Sequence, residues 1–173
     1  MNEATLGSKL LQAIHKETLM QSPLPLQVEA AQSSGCGQVL VSAEVVDGDR
    51  FSHVLGHFAA HIEPSSTKPS SLKPGSKLDA GSVARRLCER VGYLPEALEV
   101  VEAQPDESVL VRSSPPTMRG PGTDYFEAVV AGEGFELRRY TPREEGGRDE
   151  KAFCLPDDIL SRLADDAAAI LNV

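Results

Sequence analysis

The chain has 173 residues, 40% of them apolar and 25% charged, and its 26 acidic against 17 basic side chains give a formal net charge of −9 at pH 7. That length suits one domain with a substantial core, residues 1–173, and is short for two. The negative balance opposes the counterion release that duplex nucleic acid and anionic membrane surfaces reward, so neither is an expected partner.

The opening MNEATLGSKLLQAIHKE has polar breaks throughout its apolar pattern, unlike a secretory signal, and no apolar run reaches the about eighteen residues of a membrane span. A cytoplasmic setting is expected. From Thr5 to Met20, Leu6, Leu10, Leu11, Ile14 and Leu19 recur near helical spacing, and Pro23 and Pro25 then end the helix because proline lacks an amide donor. A short strand from Leu26 to Ala31 follows. SSGCGQ marks a turn, and VLVSAEVVDGDRFSHVLGHFAAHIE reads as a hairpin with Gly48-Asp49, the register followed here, or Asp47-Gly48 at its tip. In that register Val46 faces Phe51 and Glu44 faces His53, and Val39, Val41, Ala43 and Val45 share a face with Val54, Phe58 and Ile62. Residues 51–62 also fit a helix, since Val54, Phe58 and Ile62 are four apart, but the strand is preferred.

The Ser/Pro/Lys-rich segment 64–78 has little to bury and is read as a surface loop carrying Lys68, Lys73 and Lys77. Val83, Ala84, Leu87, Cys88 and Val91 form the apolar stripe of a second helix, which Gly92 would end in a left-handed conformation. ALEVVEAQPDESVLVRS then suggests two strands joined around Pro105-Asp106, and SSPPTMRGPGT another loop.

DYFEAVVAGEGFELRRY is the clearest structural statement in the chain. With Gly132-Glu133 as the turn, Ala131 faces Gly134, Val130 faces Phe135, Ala128 faces Leu137 and Glu127 faces Arg138, so an apolar and a charged face separate. TPREEGGRDEK reads as an exposed connection and AFCLP as one more short strand. The last helix has Pro156 in its first turn, Asp157 and Asp158 near the positive end of its dipole, and Ile159, Leu160, Leu163, Ala167, Ile170 and Leu171 as its buried stripe. The expected fold is α+β: an antiparallel sheet of about five to seven strands with three helices packed mainly on one face.

Functional signals are sparse. His53, His57 and His61 are each four apart, a spacing that on a helix lets imidazoles share a metal, with Glu44 or Glu63 as further ligands. On a strand, residues four apart are separated by about 13 Å, which opposes a shared ion. Three cysteines, Cys36, Cys88 and Cys154, are odd in number and lack CxxC spacing, so reduced thiols are expected. Cys36, between two glycines, reads as a turn residue because no local pattern supplies a base or oxyanion site. GPGTDY and AGEGF lack the glycine order of a phosphate cradle.

Arg138, Arg139 and Tyr140, with Arg112 and Arg143 nearby, could present a guanidinium and aromatic patch for a carboxylate or acidic peptide. The leading expectation is a non-enzymatic binding or adaptor protein that engages another protein, or a second copy of itself, through an exposed sheet face or the loop bearing Lys68 and Lys73. That reading implies no cofactor. Its rival is a small metal-binding protein or metal-dependent enzyme holding a divalent ion such as zinc at His53, His57 and His61. A third class is a domain with a ligand pocket between sheet and helices.

Overall fold

The alternation in 122–142 is realised as a hairpin in a computed structural model that describes residues 4–20, 22–35, 37–63, 78–103, 107–114, 117–119 and 122–172. Strands β7 (Gly122–Ala131) and β8 (Gly134–Pro142) pair Ala131 with Gly134, Val130 with Phe135, Ala128 with Leu137 and Glu127 with Arg138. Before them come helix α1 (Leu6–Leu19), strands β1 (Leu26–Ser34), β2 (Gly37–Gly48) and β3 (Ser52–Glu63), helix α2 (Ala80–Arg90), and strands β4 (Ala97–Ala103), β5 (Val109–Ser114) and β6 (Thr117–Arg119). After them come β9 (Arg148–Glu150), β10 (Phe153–Pro156) and helix α3 (Asp157–Leu171).

The fold is α+β, and its antiparallel strands run in the order β1-β2-β3-β8-β7-β5-β4, with β10 added on β3, β6 on β7 and β9 on β8. The sheet has more strands than expected because the short β6 and β9 form in stretches that read as loops; each borrows ladder bonds from a long neighbour. Residues 52–63 are a strand, not a helix. None of the described helices is long and apolar enough to cross a membrane. The loop residues Lys68, Lys73 and Lys77, the turn at Pro105-Asp106 and Cys36 lie outside the described residues.

The hairpin of β2 and β3 departs from its expected register. Gly48 faces His53, Asp47 faces Val54, Val45 faces Leu55 and Glu44 faces His57, with irregularities around Val45. The connection is therefore Asp49 to Phe51, held by the Asp49 carboxylate, which accepts the Phe51 and Ser52 amides at 2.8 and 2.9 Å. Such a shift reverses which side chains face inward. Leu55 takes the core position expected for Val54, while Phe58 keeps its own. At the same irregularity β3 forks. Residues Ser52 to Leu55 pair with β10, and Phe58 to His61 pair with β8.

The inward residues of the strands and the apolar stripes of the helices form one core cluster, including Val41, Leu55, Phe58 and Leu137 from the sheet and Leu10, Leu87, Leu163 and Ile170 from the helices. Each such side chain contributes about 1.5–3 kcal/mol by leaving water. Leu19 is not part of it; it is 84% exposed at the last turn of α1. Gly92 does not take the left-handed conformation, and α2 ends at Val91 with φ −93° and ψ 49°.

Helices α1 and α3 run antiparallel against each other. The Gly7 amide donates to Asp165 at 2.7 Å at one end of the contact, and His15 meets Asp157 at 3.3 Å at the other. Thr5 caps α1 by accepting the Ser8 amide, and Asp79 caps α2 by accepting the Ser82 amide.

Candidate functional site

The forked β3 creates a polar point inside an apolar layer. Leu155 of β10 lies opposite His53 and Pro156 opposite Ser52, after which the chain turns straight into α3, its Asp157 amide donating to the Phe51 carbonyl at 2.9 Å. The Asp157 carboxylate is thereby brought beside His53, and the antiparallel α1 lays His15 over both. His53 Nε2 is 3.1 Å from Asp157 Oδ1, His15 Nε2 is 3.3 Å from Asp157 Oδ2, and the imidazole centroids are 5.6 Å apart.

His53 is only 2% exposed. Burial pushes its imidazole below the ordinary value, against the pull of Asp157, and His15 adds to the lowering. Although close, His15 Nε2, His53 Nε2 and Asp157 Oδ1 are buried without an aligned hydrogen bond.

The three histidines expected to act together are separated. His53 faces the core, whereas His57 lies 3.5 Å from Glu44 and His61 lies 3.9 Å from Glu63, both on the opposite face of the strand. The strand reading gives spacing along one face only; the extra residue at Gly56, between the Leu55 and His57 pairings, is what turns His53 to the other side. His15 went unmarked in the sequence because nothing in a half-polar helix ties it to a strand residue 38 positions on. Asp157 was explained by the helix dipole alone.

The expected Arg138–Tyr140 patch is likewise divided, because neighbouring residues of a strand point to opposite faces. Arg139 turns inward. It is 7% exposed, forks onto Glu96 with contacts of 3.0 and 3.3 Å, and stacks over Phe126 at 4.5 Å from the ring centroid. Asp124, 3.9 Å from the guanidinium, also accepts Thr141 Oγ1 at 2.7 Å and Lys151 Nζ at 2.6 Å. Asp124, Phe126, Arg139 and Lys151 border a half-open cavity of about 220 Å³ lined also by Pro95, Phe153 and Cys154.

Arg138 and Tyr140 stay on the open face. Arg138 binds Glu136 and Glu150, not the Glu127 opposite it, and Glu127 instead accepts Arg112 at 2.9 Å and Arg148 at 2.5 Å. Arg112 lies over Tyr125 at 4.9 Å and Arg148 over Tyr140 at 4.1 Å, and the two tyrosine rings are 6.0 Å apart. A guanidinium and aromatic surface therefore exists, built from Arg112, Arg148, Tyr125 and Tyr140. Arg143 is occupied by Asp149 outside it.

This surface continues into apolar residues. Val129, 45% exposed, pairs across to Leu110, which lies opposite Glu102 on β4, the last strand of the sheet path. On β4 itself Val101, 51% exposed, sits at the irregularity between Val100 and Glu102, while Val100, 48% exposed, lies opposite the buried Val111 and so belongs to the other face. Comparison with known proteins finds no matching family model, no matching curated protein and no matching solved structure, so the residues themselves carry the functional reading.

Proposed function

We propose that this chain is a non-enzymatic binding or adaptor module that engages another protein through the open face of its sheet. The observation that supports this most is the Tyr125–Tyr140 pair flanked by Arg112 and Arg148 and running into exposed Val129. Tyrosine and arginine are the residue types that anchor protein interfaces, and here the shared Glu127 holds both guanidinium groups in place before any partner arrives. Pre-ordered anchors lose less conformational entropy on binding.

Among the described residues the outer edge of β4 has no strand partner, and its backbone donors and acceptors beside Val100 and Val101 are a place where an extended segment can add as a strand. Glu99 and Glu102 on that edge, with the net charge of −9, favour a partner segment carrying basic residues. The loop with Lys68 and Lys73 is a second contact in this reading, the partner includes a second copy of the chain, and the setting is the cytoplasm.

The test is native mass spectrometry for self-association together with crosslinking in an extract of the cells that make the protein, for the native chain and for Val129→Lys. A dimer or a defined partner that is lost in Val129→Lys is the expected result. A monomer whose crosslinked set is unchanged by Val129→Lys would refute the open-face reading.

A further inference from the structure

We propose that His15, His53 and Asp157 form a divalent-metal site of the kind zinc takes, tying α1, β3 and α3 together at one point. Each of the three residues offers one ligand atom, and these atoms all lie within 4.8 Å of one another. Two imidazole nitrogens and a carboxylate oxygen are a donor set that zinc and its neighbours in the first transition row accept. Zinc bonds of about 2.0–2.1 Å in a tetrahedron place neighbouring donors about 3.3–3.4 Å apart. His53 Nε2 stands 3.1 Å from Asp157 Oδ1 and His15 Nε2 3.3 Å from Asp157 Oδ2, so the two imidazoles meet opposite oxygens of one carboxylate, and with one ligand atom taken from each residue the set spans at most 4.8 Å.

The alternative for such a trio is a hydrogen-bonded relay with the carboxylate between two rings. Orientation opposes it. At 3.1 Å an aligned ring N–H would bond Asp157 Oδ1, yet His53 Nε2 and Oδ1 are both without an aligned partner, and so is His15 Nε2. Buried polar atoms left so are costly unless something between them accepts all three. A cation in that space does so at once.

The surroundings suit a held ion. His53 is fixed in the paired part of β3, Asp157 by its amide bond to Phe51, and α1 by the Gly7–Asp165 bond. The side chains of His15 and Asp157 are 44% and 25% exposed, which leaves one side open for entry and for a water as fourth ligand. Asp158 in the same first turn, and Asp49 acting on His53, supply further negative charge against the helix dipole.

The full chain, stripped with chelator and titrated with zinc chloride, tests this by calorimetry and thermal melting, with cobalt(II) absorption reporting geometry. One zinc per chain, a raised Tm and tetrahedral cobalt bands are expected. His15→Gln and Asp157→Asn should each weaken zinc binding by at least about tenfold, while the double variant His57→Ala/His61→Ala keeps it. His15 is partly exposed, so His15→Gln should melt like the native chain without zinc and serves as the deciding variant if Asp157→Asn folds poorly. Zinc binding unchanged in His15→Gln, or no stoichiometric binding in the native chain, would overturn the proposal.

Discussion

Gly7 sits directly against the Ser161 carbonyl, so close that a Cβ on Gly7 would lie 2.1 Å from that oxygen. The missing side chain lets α1 settle onto α3 and lets its own amide reach Asp165. Gly7→Ala should therefore destabilise the protein by about 1–3 kcal/mol, the usual cost of forcing atoms into a packed contact. The gain in helix propensity, about 1 kcal/mol, offsets only part of it. Urea unfolding monitored by circular dichroism reads the difference, and an unchanged or raised midpoint would show that α1 and α3 are not pressed together here.

Removing the Arg139 guanidinium should cost more. Glu96 is 4% exposed and Asp124 is 3% exposed, and Arg139 is the fork that answers the first and lies near the second. Breaking such a pair by deleting one partner costs about 3–5 kcal/mol. Arg139→Met should lower Tm accordingly, and Arg139→Met/Glu96→Leu should recover much of the loss because no charge is then stranded. Equal Tm values for the single and double variants would mean that the charge pair is not the source.

Acid should weaken the same region. Burial alone would raise the Asp124 pKa, but hydrogen bonds from Lys151 and Thr141 and the charges of Lys151 and Arg139 outweigh it, and the carboxyl ends below its ordinary value of 3.8. The folded state thus holds the ionised form more tightly than the unfolded state does. Its stabilising contribution is fully present above the ordinary carboxylate value and is lost as pH falls through the lowered one. Stability measured from pH 5 down to pH 2 should fall less steeply in Asp124→Asn than in the native chain; parallel curves would remove Asp124 as a source of acid sensitivity.

The thiols should differ in reactivity. Cys154 is exposed at the second position of β10, whereas Cys88 is half-buried in α2 and burial pushes its thiol pKa up, away from the reactive thiolate. Iodoacetamide at pH 8, followed by peptide mapping, should label Cys154 well before Cys88. The reverse order would place α2 differently from its packing here.

The 124–140 hairpin was legible down to its register because strict alternation and a single Gly-containing turn admit one pairing that buries Phe126, Ala128, Val130, Phe135 and Leu137 together. The earlier hairpin was legible only as a hairpin. Its strands carry apolar residues on both sides of the irregularity at Val45, so Val54 and Leu55 satisfy a period of two equally well until Asp49 fixes the loop. The patch around Arg138 to Tyr140 was read as adjacent in sequence, but strand geometry sends Arg139 to Glu96 and leaves room for Arg148, which no local pattern had marked. The trio of His15, His53 and Asp157 was beyond sequence reasoning for a related reason. It depends on the fork in β3 and on the antiparallel seating of two helices from opposite ends of the chain, and neither has a periodic signature.

The pairing of α1 with α3 also orders events during synthesis. The apolar stripe of Leu6, Leu10 and Ile14 emerges from the ribosome about 150 residues ahead of its cover, Leu160 to Leu171, and β10 must first seat on β3 to aim that cover. At translation speeds of about 5–20 residues per second, α1 waits about eight to thirty seconds for that cover. Over that interval the nascent chain carries an oily helix face that can find a chaperone or a neighbouring chain before it finds α3.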